Sequence, residues 1–240
     1  MQRNKLILLL VWLLACLPLS ASELVPFEAH YIAYRSGMEL GQAEQKLTHL
    51  GRDQYKLEYR SHASFLFLSD TRSEESLFKL TADGLIPYRY HFERSGTGKD
   101  KQLSVRFDES GRQIIIGEET RLPWHNEIDN QLYQLDVRMG LARGRRSFVY
   151  QTVSDRGEIR EQEFRVIGTE ELTLPYGKVS AIKVEKVREG SRRETYIWFA
   201  PGLDYQMVRL HQFKDGDEQA DIQLSHYQQI NGAASPSAAH

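Results

Sequence analysis

Cysteine is almost absent from this sequence. The 240-residue chain holds one, Cys16, inside an apolar leading segment. A thiol there serves either as one more small hydrophobe or as the acyl acceptor of a lipobox, Leu13-Leu14-Ala15-Cys16, and both readings stand. Cleavage near Ala21 or Ser22 would leave no thiol at all. Disulfides, thiolate nucleophiles, cysteine–zinc sites and iron–sulfur clusters would then drop out together. Long hydrophobic runs are lacking too. The one that exists, Leu6 to Ala15, falls short of the roughly 20 apolar residues of a spanning helix. Arg3 and Lys5 precede it, and Pro18 with Leu19-Ser20-Ala21-Ser22 follows, the charged, apolar, small-residue order of a secretory signal peptide over residues 1–22. The expected location is the periplasm, with a lipoprotein anchored through Cys16 as the alternative, and no transmembrane span is expected in the exported chain.

Positive charge is not in surplus. Lys and Arg number 31 against 33 Asp and Glu, and removal of Arg3 and Lys5 with the leader leaves 29 against 33, a net charge of −4. That balance argues against a nucleic-acid binder. Arg143, Arg145 and Arg146 form a dense basic cluster, a candidate contact for an anionic partner, whereas Glu185, Glu189 and Glu194 interleave Lys186, Arg188, Arg192 and Arg193.

Motifs that carry chemistry are missing as well. Histidines at 30, 49, 62, 91, 125, 211, 226 and 240 form no His-Glu-x-x-His and no His-x-His, and no Gly-x-Ser-x-Gly elbow occurs. Gly96-Thr97-Gly98-Lys99 lacks the rest of a phosphate loop. Glu74-Glu75 and Glu170-Glu171 are adjacent, so on strands their side chains face opposite ways. No catalytic, metal-binding or cofactor-binding residue is assigned, and no cofactor is expected.

What the chain does have is alternation. Phe27, Ala29, Tyr31 and Ala33, then Tyr55, Leu57 and Tyr59, Tyr88, Tyr90 and Phe92, and Leu103, Val105 and Phe107 fall at period two between polar residues. Strands with one covered face read this way. Turn chemistry at Gly51-Arg52-Asp53, Ala82-Asp83-Gly84, Gly96-Thr97-Gly98, Glu109-Ser110-Gly111, Asp155-Arg156-Gly157, Pro175-Tyr176-Gly177 and Lys214-Asp215-Gly216 separates them. The pattern predicts a mainly β fold of about eleven strands, a single antiparallel meander forming a curved sheet or partly closed barrel over residues 23–230.

Residues 128–143 break the alternation. Ile128, Leu132, Leu135 and Met139 recur at helical spacing, with Asn126 or Asp129 as caps and Gly140 or Gly144 as stops. An amphipathic helix here should turn Leu132, Leu135 and Met139 to the sheet and leave Gln131, Gln134 and Arg138 more exposed. Residues 231–240 read as a disordered tail.

Aromatic residues concentrate on the strands and allow two readings, a filled core or the lining of a cavity for an apolar ligand. On the second, the lining is Tyr31, Phe65, Phe67, Tyr88, Tyr90, Phe92, Leu135, Met139 and Trp198. Ser64 to Leu68 is apolar on both faces, as a doubly buried segment or a lipid-facing lip would be.

Three stretches resemble the exported bacterial family "domain of unknown function 3108". They are Phe27-Glu28-Ala29-His30-Tyr31 with Gly37 and Gly41, the segment Asp129 to Arg138, and the run from Val166-Ile167-Gly168-Thr169-Glu170 through Leu174-Pro175-Tyr176-Gly177-Lys178 to Trp198-Phe199-Ala200-Pro201 and Val208-Arg209. Met207 stands where the pattern has proline. The resemblance implies an exported β protein and brings no catalytic residues with it. The overall pattern is also similar to that of periplasmic half-barrel lipoprotein carriers, a likeness of fold. Three functions follow as expectations: a non-enzymatic periplasmic protein binding an apolar or lipid-like ligand in envelope maintenance, a scaffold for another envelope protein, or a glycan or lipid hydrolase with a non-standard site.

Overall fold

Burial on one face only turns the alternating stretches into strands, and a computed structural model describes residues 24–65 and 67–230, the side chain of Phe65 excepted. The leader at 1–22 and the tail at 231–240 lie outside the described residues. Eight strands come first: β1 (Phe27–Arg35), β2 (Met38–Gly51), β3 (Gln54–Phe65), β4 (Leu68–Thr81), β5 (Gly84–Gly96), β6 (Lys101–Asp108), β7 (Gln113–Ile116) and β8 (Thr120–Pro123). A two-residue strand β9 (Ile128–Asp129) leads into the helix α1 (Leu132–Ala142). Then follow β10 (Ser147–Val153), β11 (Ile159–Leu174), β12 (Gly177–Val187), β13 (Arg193–Ala200), β14 (Gln206–Lys214) and β15 (Asp217–Gln229).

All fifteen strands belong to one curved sheet ordered β8-β7-β6-β5-β4-β3-β2-β1-β15-β14-β13-β12-β11-β10-β9. The expected meander is present in both halves of this order, and β1 joins the halves by pairing antiparallel with β15, Ala29 opposite Tyr227. The sheet is mixed rather than wholly antiparallel, because β9 runs parallel to β10 with Ile128 opposite Thr152. Four strands more than expected arise partly from β7, β8 and β9, which are four, four and two residues long and too short to show a period.

The two edges, β8 and β9, are consecutive in the chain, so the sheet is a barrel left open along one seam. Side chains bridge the seam. Val153 and Ile159 from the β10–β11 hairpin pack into a cluster with Tyr90, Phe92, Val105, Phe107 and Ile114. Gly157 at that hairpin's turn has φ +72°, and a Cβ there would meet Ile116 Cγ2 at 2.9 Å.

The helix lies inside the barrel. Leu132, Leu135, Val137, Met139 and Leu141 join Phe27, Tyr31, Leu47, Leu57, Phe148 and Phe164 in one buried cluster. Asp129 caps its start as expected, Oδ1 accepting the N–H groups of Gln131 and Leu132 at 2.9 and 3.1 Å. Gly144, with φ +80°, ends it, whereas Gly140 is an interior residue of the helix. The expected exposure of Gln131 and Arg138 is overturned, since both are buried. A helix largely enclosed by strands keeps few solvent-facing positions, so Gln131 and Arg138 find partners in the wall. Arg138 donates to the Gln206 side chain at 2.7 Å and to the Asp204 carbonyl at 2.7 Å, with its guanidinium 4.7 Å over the Phe27 ring.

Candidate functional site

The structure places the nine residues read as a ligand lining in several different environments. Tyr31, Leu135 and Met139 share the main core cluster, and Trp198 joins it from the face opposite Ile197. Tyr90 and Phe92 belong to the separate cluster at the seam. Tyr88 is half-buried on β5. Phe67 stands 96 % exposed at the β3–β4 turn, far from any interior. The side chain of Phe65 lies outside the described residues.

Side chains of α1 and of the wall pack into one buried cluster. Between α1 and the wall, a void of only about 10 Å³ remains among Phe27, Leu57, Leu135, Phe199 and Met207. One water needs about that much and an acyl chain far more.

A groove of about 540 Å³ opens instead at the seam. Its apolar walls are Leu85, Ile86 and Pro87 from the start of β5, Trp124 from the β8–β9 connection, Ile128 of β9, and Tyr150 from β10. These walls are locally fixed. The Trp124 indole N–H donates to the Glu127 carbonyl at 2.9 Å, and its ring lies 5.5 Å from that of Phe107. The Glu127 carboxylate accepts the backbone N–H of His125 at 2.8 Å and of Asn126 at 3.2 Å, which closes the turn on itself. Tyr150 donates its hydroxyl to Asp136 at 2.7 Å, and Arg145 reaches the same carboxylate at 3.2 Å. Burial first, and then the charge of Asp136, push the Tyr150 phenol up, so it stays a neutral donor. Volume, apolar walls and a few anchored polar groups are the attributes of a small-molecule site.

Just behind the groove sits a buried polar cluster that spacing did not reveal. Ser76 of β4 donates to Asp129 Oδ1 at 2.8 Å and accepts from Gln131 Nε2 at 3.0 Å. Burial raises the Asp129 carboxyl to about 6, against the hydrogen bonds from Gln131, Ser76 and Leu132. Burial also raises Glu74, to about 7; the Tyr90 hydroxyl that donates to it at 2.7 Å opposes this, and the charge of Asp129 adds to it. Asp129 is fully buried and ties α1 to the wall through Oδ1 alone, while Oδ2 has no hydrogen-bond partner among the described residues.

Among the described residues, His211, Glu218 and Asp221 bring ligand-type atoms within 4.8 Å of one another. The set does not suit a metal. Arg209 holds both Asp221 oxygens at 2.7 and 2.8 Å and approaches His211 Nδ1 at 3.3 Å, while His211 Nε2 bonds Glu218 at 2.8 Å. A guanidinium already stands where a cation would have to enter. The basic cluster Arg143, Arg145 and Arg146 is exposed, with Arg145 turned back over the Phe148 ring at 4.6 Å.

No curated protein matches this sequence significantly. Among solved structures, a beta-barrel-like protein of domain of unknown function DUF1849 from Brucella abortus superposes with a TM-score of 0.57 at 9 % identity, over 86 % of this chain and 98 % of that one. That is a likeness of fold. A protein with a YmcC-like fold from Bacteroides fragilis NCTC 9343 gives a TM-score of 0.31 at 10 % identity, covering 85 % and 95 % of the two chains. The family description "Protein of unknown function (DUF3108)" matches residues 27–223, from the first residue of β1 into β15. The chain belongs to the DUF3108 family.

Proposed function

We propose that this is a non-enzymatic binding protein of the cell envelope, and that its ligand, apolar or lipid-like, lies in the seam groove and not inside the barrel. The observation that carries this is the contrast in volume: about 10 Å³ within the barrel and about 540 Å³ at the seam. The leader-like segment 1–22 supports export. Leu85, Ile86, Pro87 and Trp124 offer the apolar surface, and Arg112 and His125 stand among Asp83, Glu109, Glu127 and Asp136 in the polar part of the lining. The helix acts as a packed plug, its apolar residues sharing one buried cluster with the wall.

Native mass spectrometry of purified protein lacking residues 1–22 is expected to show a co-purifying acyl compound, or uptake of an added fatty acid. Ile86→Asp is expected to lower that uptake at least tenfold while circular dichroism shows an unchanged fold. A protein that remains without ligand in the presence of fatty acids would overturn the proposal.

A further inference from the structure

Lys186 has no carboxylate for a partner among the described residues. It stands on β12 opposite Phe164 of β11, and Phe164 belongs to the main buried cluster, so Lys186 lies on the inner face of the sheet. Its ammonium donates to Gln162 Oε1 and lies 5.5 Å over the Phe164 ring. The side chain is half-buried. A cation drawn out of water is ordinarily set against an acid.

The charges that act on it are positive. Arg188 follows just past the end of β12, and Arg160 precedes Gln162 by two residues on the same face of β11, opposite Thr152. Burial first, and then the charges of Arg188 and Arg160, lower the Lys186 ammonium to about 8. Burial lowers Arg188 as well; the Tyr133 phenol opposes this and Arg193 adds to it. The carboxylates of these segments are engaged or turned away. Glu158 holds Arg160 at 3.1 Å, Glu161 accepts from Gln151 at 2.7 Å, and Glu194 accepts from the Tyr196 hydroxyl at 2.9 Å. Glu185 faces Arg165 at 3.5 Å. Glu163 alternates with Gln162 and Phe164 and is exposed on the outer face, and Glu189, exposed in the turn after β12, pairs with neither Lys186 nor Arg188.

A neutral donor completes the set. Tyr133, in the first turn of α1, is buried and stacks on Phe164 with ring centres 4.9 Å apart. Its hydroxyl accepts from Gln134 Nε2 at 3.3 Å and gives its own proton to no partner among the described residues. Burial raises the phenol against the Gln134 bond, and the charges of Glu74 and Arg188 act on it in opposite senses, so it stays protonated. An ammonium, a guanidinium fork and a hydroxyl suit an oxyanion. A phosphate group, with a charge of about −1.5 to −2 at pH 7, matches the two cations that lack acids.

We infer that Lys186, Arg188 and the Tyr133 hydroxyl form a binding site for a phosphate group, free or on a lipid head. None of the three lines the seam groove, so the site stands independently of the ligand proposed there.

Isothermal titration calorimetry of the purified protein with inorganic phosphate and with the soluble short-chain lipid dihexanoylphosphatidic acid, against chloride at equal ionic strength, tests this. The wild type is expected to bind one phosphate group per chain. Lys186→Met should weaken binding about tenfold and Arg188→Gln about fivefold, by loss of charge-assisted hydrogen bonds. Arg188 is exposed, so that variant reads the site even where Lys186→Met disturbs the fold. Arg143→Gln, in the exposed cluster after α1, should bind as wild type does, and fatty-acid uptake should be unchanged in Arg188→Gln. Equal affinity for the two probes assigns the site to free phosphate, and binding of the lipid tighter by about tenfold or more assigns it to a headgroup. Binding by Lys186→Met and Arg188→Gln equal to wild type would overturn the inference. So would a wild type that binds neither probe, or that responds to chloride as strongly as to phosphate.

Discussion

Ser76 Oγ and Asp129 Oδ1 lie 2.8 Å apart, a hydrogen bond that joins β4 to β9, just ahead of α1, across 53 residues of sequence. Asp129 thereby has two structural duties: it caps the helix through the N–H groups of Gln131 and Leu132, and it ties the helix to the wall. Ser76→Ala removes the donor to Asp129 and the acceptor of Gln131 together. The expected cost is about 1–3 kcal/mol, the penalty for stranding buried polar groups. A urea denaturation midpoint that stays at the wild-type value would show that the tie contributes nothing.

The same cluster makes stability depend on pH. Asp129 rises from an ordinary 3.8 to about 6 in the folded chain, and Glu74 from 4.5 to about 7. Between those limits the folded state retains protons that the unfolded chain has lost. This contribution is complete below about pH 4 and disappears as pH rises through about 6 to 7. Carboxylates with lowered values, such as Glu28 beside His30, act in the opposite sense, so a difference measurement isolates the effect. The stability of wild type relative to Glu74→Gln should fall as pH rises from 4.5 to 7. A difference that stays flat over that range would mean that Glu74 titrates normally.

Leu135 points into the packed interior, 4 % exposed, and borders the small void. Leu135→Ala should destabilise the fold by about 2–5 kcal/mol because the surrounding strands cannot close over the space. Fatty-acid affinity should change little. If stability held and affinity shifted, the helix would be a lid over a ligand cavity and not a plug.

Gly41, quoted above among the residues of the family resemblance, owes its place to crowding. A Cβ on it would stand 2.0 Å from the His62 carbonyl oxygen and 2.6 Å from the Ala63 Cα, both backbone atoms of the paired strand. Gly41→Ala must push β2 and β3 apart, at roughly 1–3 kcal/mol by the general cost of overpacking. Faster amide exchange around Ala63 would report the local loss. Exchange unchanged at Ala63 together with an unchanged melting temperature would contradict it.

Much of this architecture was legible because each strand has one wet and one dry side. Phe27, Ala29 and Tyr31 alternate, and all three are buried as that alternation requires. The helix was legible from its spacing, but its environment was not. Arg138 and Gln131 look like surface residues until Gln206 and Ser76 arrive from strands 68 and 55 residues away. Aromatic content alone did not locate a site. Phe67 falls in a turn, where alternation stops and exposure begins, and Trp198 packs under Lys183 and Arg209, at 5.1 and 5.2 Å, on the face opposite Ile197. The groove itself is assembled from the β5 start, the β8–β9 connection and β10, and Trp124 and Pro87 belong to no period that would single them out.

Whether a ligand occupies the seam groove can be read from the two tryptophans outside the leader. Trp124 lines the groove, whereas Trp198 lies buried in the wall. Titration with a fatty acid brominated along its chain, a short-range quencher of indole fluorescence, reads which of them the ligand approaches. Ligand in the groove should give strong quenching in the wild type and in Trp198→Phe, and none in Trp124→Phe. Quenching that survives in Trp124→Phe and vanishes in Trp198→Phe, or no quenching in any of the three, would contradict it.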